Sequence, residues 1–203
     1  MPPLTCLTTP HSAHLLAEQL TIGPAGMRDW HSISVLVARN FPLVREASLG
    51  HWLCHQLPYF RVARLGGHQV VGILHAQPRQ DTGTLWINLL AVEEHLRHHG
   101  IAHHLVAHAE SVCRDWQCQR IGLQCATTNV AALHLYACHG YGLLSESTTE
   151  LGVRVVGHVK ILPATDAPHS CPRPTVRLDA RPLRRLYRLC YVLGYRHRSP
   201  VPR

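Results

Sequence analysis

TLWINLLAVEEHLRHHGIAHHLVAHAESVCRDW, residues 84–116, holds in order an apolar strand, a turn containing glycine and an amphipathic helix. TLWINLLAV (84–92) is apolar at most positions and predicts a buried strand. From residue 101, the apolar positions Ile101, Leu105, Val112 and Trp116 fit one buried stripe of a helix over 101–116. Between them lies RHHGIA (97–102), where Gly100 allows close backbone approach and Ala102 is small. Helix N-termini carry unpaired N–H groups and positive dipole character. Such a turn can hold a pyrophosphate through main-chain donors. On this stretch alone, an ordinary strand-to-helix turn is the competing reading.

Upstream, LTIGP (20–24) reads as a short first strand. Trp30, Ile33, Val37 and Phe41 then repeat at helical spacing, and EASLGHWLCHQL (46–57) reads as a second helix closed by Pro58. YFRVARL (59–65), a two-residue Gly66-Gly67 turn and HQVVGILHA (68–76) form a hairpin, followed by the loop PRQDTG. Downstream, RIGLQCAT (120–127) is a strand, NVAALHLYACHG (129–140) a helix ending at Gly140, and YGLLSES and VRVVGHVKIL the last strands. The order β-α-α-β-β-β-α-β-α-β-β implies an α+β sandwich, with helices covering a largely antiparallel sheet.

A second element follows the fifth strand. ATTNVAALHLYACHGYG places Asn129, Ala132, Leu135, Tyr136 and Gly140-Tyr141 in order. Here the sequence resembles the GNAT superfamily of N-acetyltransferases. RHHGIA matches that family's Arg/Gln-x-x-Gly-x-Gly/Ala loop. NVAALHLYACHGY is similar to its Asn-x-x-Ala-x-x-Leu-Tyr-x-x-x-Gly-Phe/Tyr element. The two stand about 30 residues apart, in the family's order, after a strand ending LLAV. The resemblance covers roughly residues 19–162 and is strongest over 84–144.

The resemblance implies a GNAT-type fold and transfer of an acetyl group from acetyl-CoA to a primary amine. It implies main-chain contacts from Leu90, Ala91 and Val92 to the pantetheine arm, and amides of His98, His99, Gly100, Ile101, Ala102 and His103 on the pyrophosphate, with Arg97 beside it. Asn129 is expected on the cofactor arm, and Tyr136 at the thioester sulfur. A phenol with pKa near ~10 is protonated at neutral pH and can donate to a leaving thiolate. The general base does not carry over. Members resembling ribosomal-protein acetyltransferases have Glu where this chain has Gln124. Those resembling arylalkylamine acetyltransferases have two His where it has Trp86 and Asn88. His75, Glu93, Glu146 or a water chain are the candidate replacements. Gln124 also supports a second reading, a catalytically weak CoA-binding sensor or scaffold.

The remaining features bound the partners. The 203-residue chain has a formal net charge of +8, but residues 163–203 hold nine arginines against Asp166 and Asp179, so the body is nearly neutral. A basic tail without aromatic-basic interleaving in the body does not predict a nucleic-acid partner. The eight cysteines have no C-x-x-C spacing; Cys125 and Cys138 read as small buried hydrophobes. His95, His98, His99, His103, His104 and His108 cluster around the loop. His99/His103 and His104/His108 have metal-ligand spacing on a helix, but no carboxylate or Cys completes a set, so no metal is expected. There is no apolar run of membrane-spanning length and no secretory signal, which predicts a cytoplasmic protein. The expected partner is an amine acceptor, small molecule or protein; a homodimer is left open. Residues 1–18 read as an N-terminal extension, 19–162 as the acyltransferase domain, and 163–203 as a Pro-rich linker and basic tail helix with Leu183, Leu186, Cys190 and Leu193 on one face. Every matched motif precedes Pro163. Deleting residues 168–203 is therefore expected to leave acetyl-CoA binding intact, measured by thermal shift; loss of folding would show that the Leu face belongs to the core.

Overall fold

In a computed structural model of the chain, the described residues are 19–41, 56–79, 81–149 and 152–163. They form β1 (Leu20–Pro24), α1 (Trp30–Asn40), β2 (Phe60–Leu65), β3 (Gln69–Arg79), β4 (Thr84–Val92), α2 (Ile101–Asp115), β5 (Arg120–Ala126), α3 (Val130–Cys138), β6 (Gly142–Thr148) and β7 (Arg154–Ile161). The seven strands make one sheet in the order β1-β2-β3-β4-β5-β7-β6. All neighbours are antiparallel except β4 and β5, which are parallel. This is the expected α+β arrangement, with helices on both faces.

Alternation along the strands sorts the core into two layers. On one face, Ile33, Leu36 and Val37 of α1 pack on Phe60, Val62, Val70, Ile73 and Ala91. On the other, Leu105, Val106, Ala109 and Val112 of α2, with Leu135 and Tyr136 of α3, cover Leu85, Ile87, Ile121, Leu123 and Cys125. Burying each of the Leu, Ile, Val and Phe side chains among them is worth ~1.5–3 kcal/mol. The corner before α1 is pinned by Asp29, whose Oδ2 accepts from the Gly26 amide at 2.7 Å and Arg64 at 2.8 Å. No helix among the described residues is long and apolar enough to cross a membrane.

Three expectations are corrected. The β2–β3 turn has three residues, Gly66 to His68, because Leu65 pairs with Gln69. Strand β3 runs on through Pro78 to Arg79, paired with Leu85 and Thr84. The last β2–β3 pair is Phe60 with His75, so beyond it one edge of β3 has no strand beside it among the described residues and a residue lacking N–H is tolerated. Cys125 is buried, but Cys138 is exposed on α3, its Sγ 3.7 Å from His134 Nδ1. The helix read over 46–57 lies outside the described residues except for its end, Gln56 and Leu57, as do the N-terminal extension and nearly all of the tail segment.

Trp86 of β4 lies across Gly122 of β5. Its ring centroid is 3.9 Å from the Arg79 guanidinium carbon, and a Cβ on Gly122 would stand 2.5 Å from the ring. Gly122→Ala is expected to cost ~1–3 kcal/mol as overpacking, lowering Tm by several degrees in a thermal melt. Combining it with Trp86→Leu should restore most of the loss. Losses that simply add would show that the ring is not the obstacle.

Candidate active site

The parallel pairing of β4 and β5 lasts only from Thr84 with Arg120 to Ile87 with Leu123. Beyond it, Leu89 to Val92 pair with β3 alone, and Gln124 to Ala126 with β7 alone. The two strands part, and among the described residues the main chain of β4 from Asn88 to Val92 has no strand on its β5 side. The parting starts at a β-bulge: His75 pairs with Leu89 and Ala76 with Ile87, which leaves Asn88 as the extra residue. An added residue bends the strand and re-aims its side chains. Leu90, Ala91 and Val92 form the far part of this lip.

At the open end, β4 passes through a short 3-10 turn, Glu94–Leu96, into the loop before α2. Gly100 is the N-cap of α2, at φ 82. His98 also has positive φ, at 64, a conformation histidine adopts more readily than most residues. Alternation of ordinary and left-handed residues turns successive amides into an anion-binding concavity. The Arg97 amide donates to Glu94 O, and the His104 amide to Gly100 O. The six amides between them, His98 to His103, donate to no main-chain acceptor among the described residues. Placed at a helix N-terminus, these donors suit a phosphate.

The side chains in this region hold one another. Arg97 is exposed and reaches α1, with Nη2 donating to Asn40 Oδ1 at 2.9 Å. His99 Nδ1 lies 2.8 Å from Arg97 O. His103 meets His139 rather than His99, at 3.1 Å between ring nitrogens. His139 in turn lies 3.7 Å from Glu110, which accepts from Lys160 at 2.8 Å. His139 is held below its ordinary pKa, first by burial and then by His103. Ile101 is buried at the start of α2, and Ala102 packs partly against the same core.

Helix α3 starts on the other side of the parting. Asn129 is its N-cap, with Oδ1 accepting from the Ala132 amide at 3.2 Å. Such a cap is worth ~1 kcal/mol. Tyr136, one and a half turns into α3, is buried in the core cluster with Cys125 and edge-on to Tyr141 at 5.7 Å between centroids. Burial and, secondarily, the neighbouring Cys125 sulfur hold its phenol well above its ordinary pKa, so it keeps its proton at neutral pH. Cys125 lies two residues past the last β4–β5 pair, so Tyr136 stands by the parted strands.

The candidate bases are dispersed. Glu93 is only 19% exposed rather than facing open solvent, and pairs with Arg39 at 3.3 Å. Glu146 lies out on β6, 3.6 Å from Arg154. His75 is 1% exposed, and burial lowers its pKa to about 3. It is fixed between Asn88 Nδ2, 3.1 Å from Nδ1, and Gln56 Oε1, 3.3 Å from Nε2. The sequence reading passed over Asn88 as a base position without a base. The signal was one carboxamide between the apolar runs at 85–87 and 89–92.

Solved structures with this fold include Ard1 from Thermoplasma volcanium, 20% identical, with TM-score 0.64 over 72% of this chain and 99% of that one. The NatC complex bound to Gag peptide and CoA contains a chain 21% identical, with TM-score 0.62 over 71% of this chain and 99% of that one. Among curated proteins, the chain is similar to GCN5-related N-acetyltransferase 4, chloroplastic, from Arabidopsis thaliana, 38% identical over 60 residues. That match spans 30% of this chain and 21%, about a fifth, of the relative's length. Residues 25–141, more than half of the chain and including both sequence motifs, match the Acetyltransferase (GNAT) family, and the chain belongs to that family of acyl-CoA-dependent N-acyltransferases.

Proposed function

We propose that this chain transfers an acetyl group from acetyl-CoA to a primary amine by direct attack. The observation that carries the reading is the run of six amides, His98 to His103, with no main-chain acceptor among the described residues, at the end of a strand whose own edge meets no other described strand. The amides fit a pyrophosphate, and the open edge of β4 along Leu90, Ala91 and Val92 fits the amide-bearing pantetheine arm as a partner strand. Asn129 sits on the opposite lip as a helix cap, with its amide nitrogen left to meet the arm. Arg97, tied to Asn40, supplies positive charge at the rim. Acetyl-CoA brings an acyl carbon activated by a thiolate leaving group.

The amine nitrogen attacks that carbon, the C–S bond breaks, and the departing sulfur takes the Tyr136 proton. The amine loses one proton, which restores the phenol, so the products are the amide and free thiol. A phenol kept protonated by burial is suited to this donor role. The acceptor is a protein amine or a small amine. A second reading, a CoA-binding module with little turnover, is favoured by Gln124 and by the pairing of Glu93 and Glu146 elsewhere. Thiol release on mixing acetyl-CoA with an amine panel separates the two.

Two measurements test the assignments. Acetyl-CoA at 100 times its Kd should stabilise the protein by ~2–3 kcal/mol. Gly100→Glu should abolish that thermal shift by placing a carboxylate where the pyrophosphate binds. Gly100→Ala carries the same backbone penalty without the charge and should retain part of the shift. An unchanged shift in the Glu variant would remove this loop from the site. Tyr136→Phe should lower kcat by ~10²–10⁴-fold with little change in acetyl-CoA affinity. A kcat within a few-fold of the parent would leave the hydroxyl without a role in the chemical step.

A further inference from the structure

We propose that Asn88 offers its side-chain carbonyl as the hydrogen-bond acceptor that orients the attacking amine, and that buried His75 holds Asn88 in that orientation. The inference rests on the acyl-transfer reading above.

Position comes first. Asn88 is the bulge residue at which β4 leaves β5. With the pyrophosphate at residues 98–103 and the pantetheine arm along Val92 to Leu90, the cofactor runs back along β4, so its acyl end comes to rest near Asn88. The residue is exposed there.

Orientation follows from the partners. Asn88 Nδ2 lies 3.4 Å from Trp86 O and 3.1 Å from His75 Nδ1. A main-chain carbonyl can only accept, so the amide nitrogen must be on that side. Nδ2 therefore donates to both Trp86 O and His75 Nδ1. A neutral imidazole that accepts at Nδ1 carries its proton on Nε2, and Nε2 faces Gln56 Oε1 at 3.3 Å. Gln56 is itself 1% exposed, packed where β2 begins. Tyr59 and Phe60 pack against the imidazole, with centroids 6.3 and 4.7 Å away. Burial keeps the ring uncharged, as this arrangement requires. Both Asn88 amide hydrogens are thus committed inward. Oδ1 has no protein partner among the described residues, and Asn88 is exposed, so this oxygen is left to meet the amine.

A carboxamide oxygen in that position accepts one N–H of the incoming amine, which fixes where the nitrogen lone pair points. It takes no proton from the amine and leaves Tyr136 its separate role at sulfur. Asn88 therefore acts on acceptor binding and alignment, and His75 is a positioning residue that works through it.

The test uses the full chain with three acceptors: a peptide with a free N-terminus, Nα-acetyl-lysine amide and 2-phenylethylamine. For the best of these, Asn88→Ala should raise the acceptor KM by about 3- to 10-fold, the loss of one hydrogen bond. The Kd for acetyl-CoA by calorimetry should stay unchanged, while Tm should fall by a few degrees because buried His75 Nδ1 loses its donor. His75→Gln keeps a polar side chain in the buried site and should raise the same KM. The double variant should be no worse in KM than Asn88→Ala alone. An acceptor KM within twofold of the parent in Asn88→Ala overturns the Asn88 assignment while leaving acyl transfer intact. KM effects that multiply in the double variant overturn the His75 link. If the parent chain binds acetyl-CoA yet releases no thiol with any acceptor, acyl transfer itself fails, and this inference with it.

Discussion

Strands β4 and β5 run parallel and share only four residue pairs. Parallel neighbours cannot be joined by a tight turn, so the chain must cross back over the sheet, and it does so through α2. That crossover places the N-terminus of α2 directly after the C-terminal end of β4. The N-terminus of α3 follows the C-terminal end of β5 in the same way. Two helix N-termini therefore stand at the end where the strands part. The outer neighbours β3 and β7 keep each lip hydrogen-bonded on its far side, so the parting does not unravel the sheet. The cleft is a consequence of sheet topology, and the chemistry is placed in it afterwards.

Periodicity made most elements legible. Strand β4 was bounded at Thr84 and Val92 by its apolar run, and α2 to within a residue by its stripe. Two motifs in the right order indicated the family. What escaped depended on neighbours distant in sequence. Pro78 looks like a loop residue until the shortness of β2 leaves that edge of β3 unpaired. Cys138 sits in an apolar run, yet α3 is short and turns that position outward. The bulge at Asn88 has no local signature; it exists because β3 and β4 are out of step by one residue across His75 and Ala76. Arg97 had a phosphate-side role by motif, and only the fold brings Asn40 within 2.9 Å of it.

The ionic groups near the site are largely committed to one another. Glu93 pairs with Arg39, and Glu110 takes Lys160 with His139 close by. Such pairs contribute little to stability when exposed, on the order of 0–1 kcal/mol. Their greater effect here is to keep carboxylates off the six amides at His98–His103. An anion approaching those amides meets helix dipole and orphan donors.

The same division separates the two substrates. On the proposed reading a pyrophosphate is held by main-chain donors, whose positions follow from backbone geometry and tolerate varied side chains; that is how a loop with histidine at positions 98, 99 and 103 can serve. The amine has no such backbone feature to meet. Its contacts must come from side chains at the bulge and from the opposite lip, and there this chain has carboxamides, Asn88 and Gln124. Carboxamides orient an amine through its N–H groups but do not hold a positive charge as a carboxylate would. On that reading the electrostatic binding energy goes to the phosphates, and alignment of the acceptor falls to the carboxamide of Asn88, which is fixed from behind through His75 to Gln56. The bulge therefore does more than open the strands: it sets the one polar side chain of β4's parting segment against His75, and on the proposed reading that is where the acyl end of the cofactor and the amine meet.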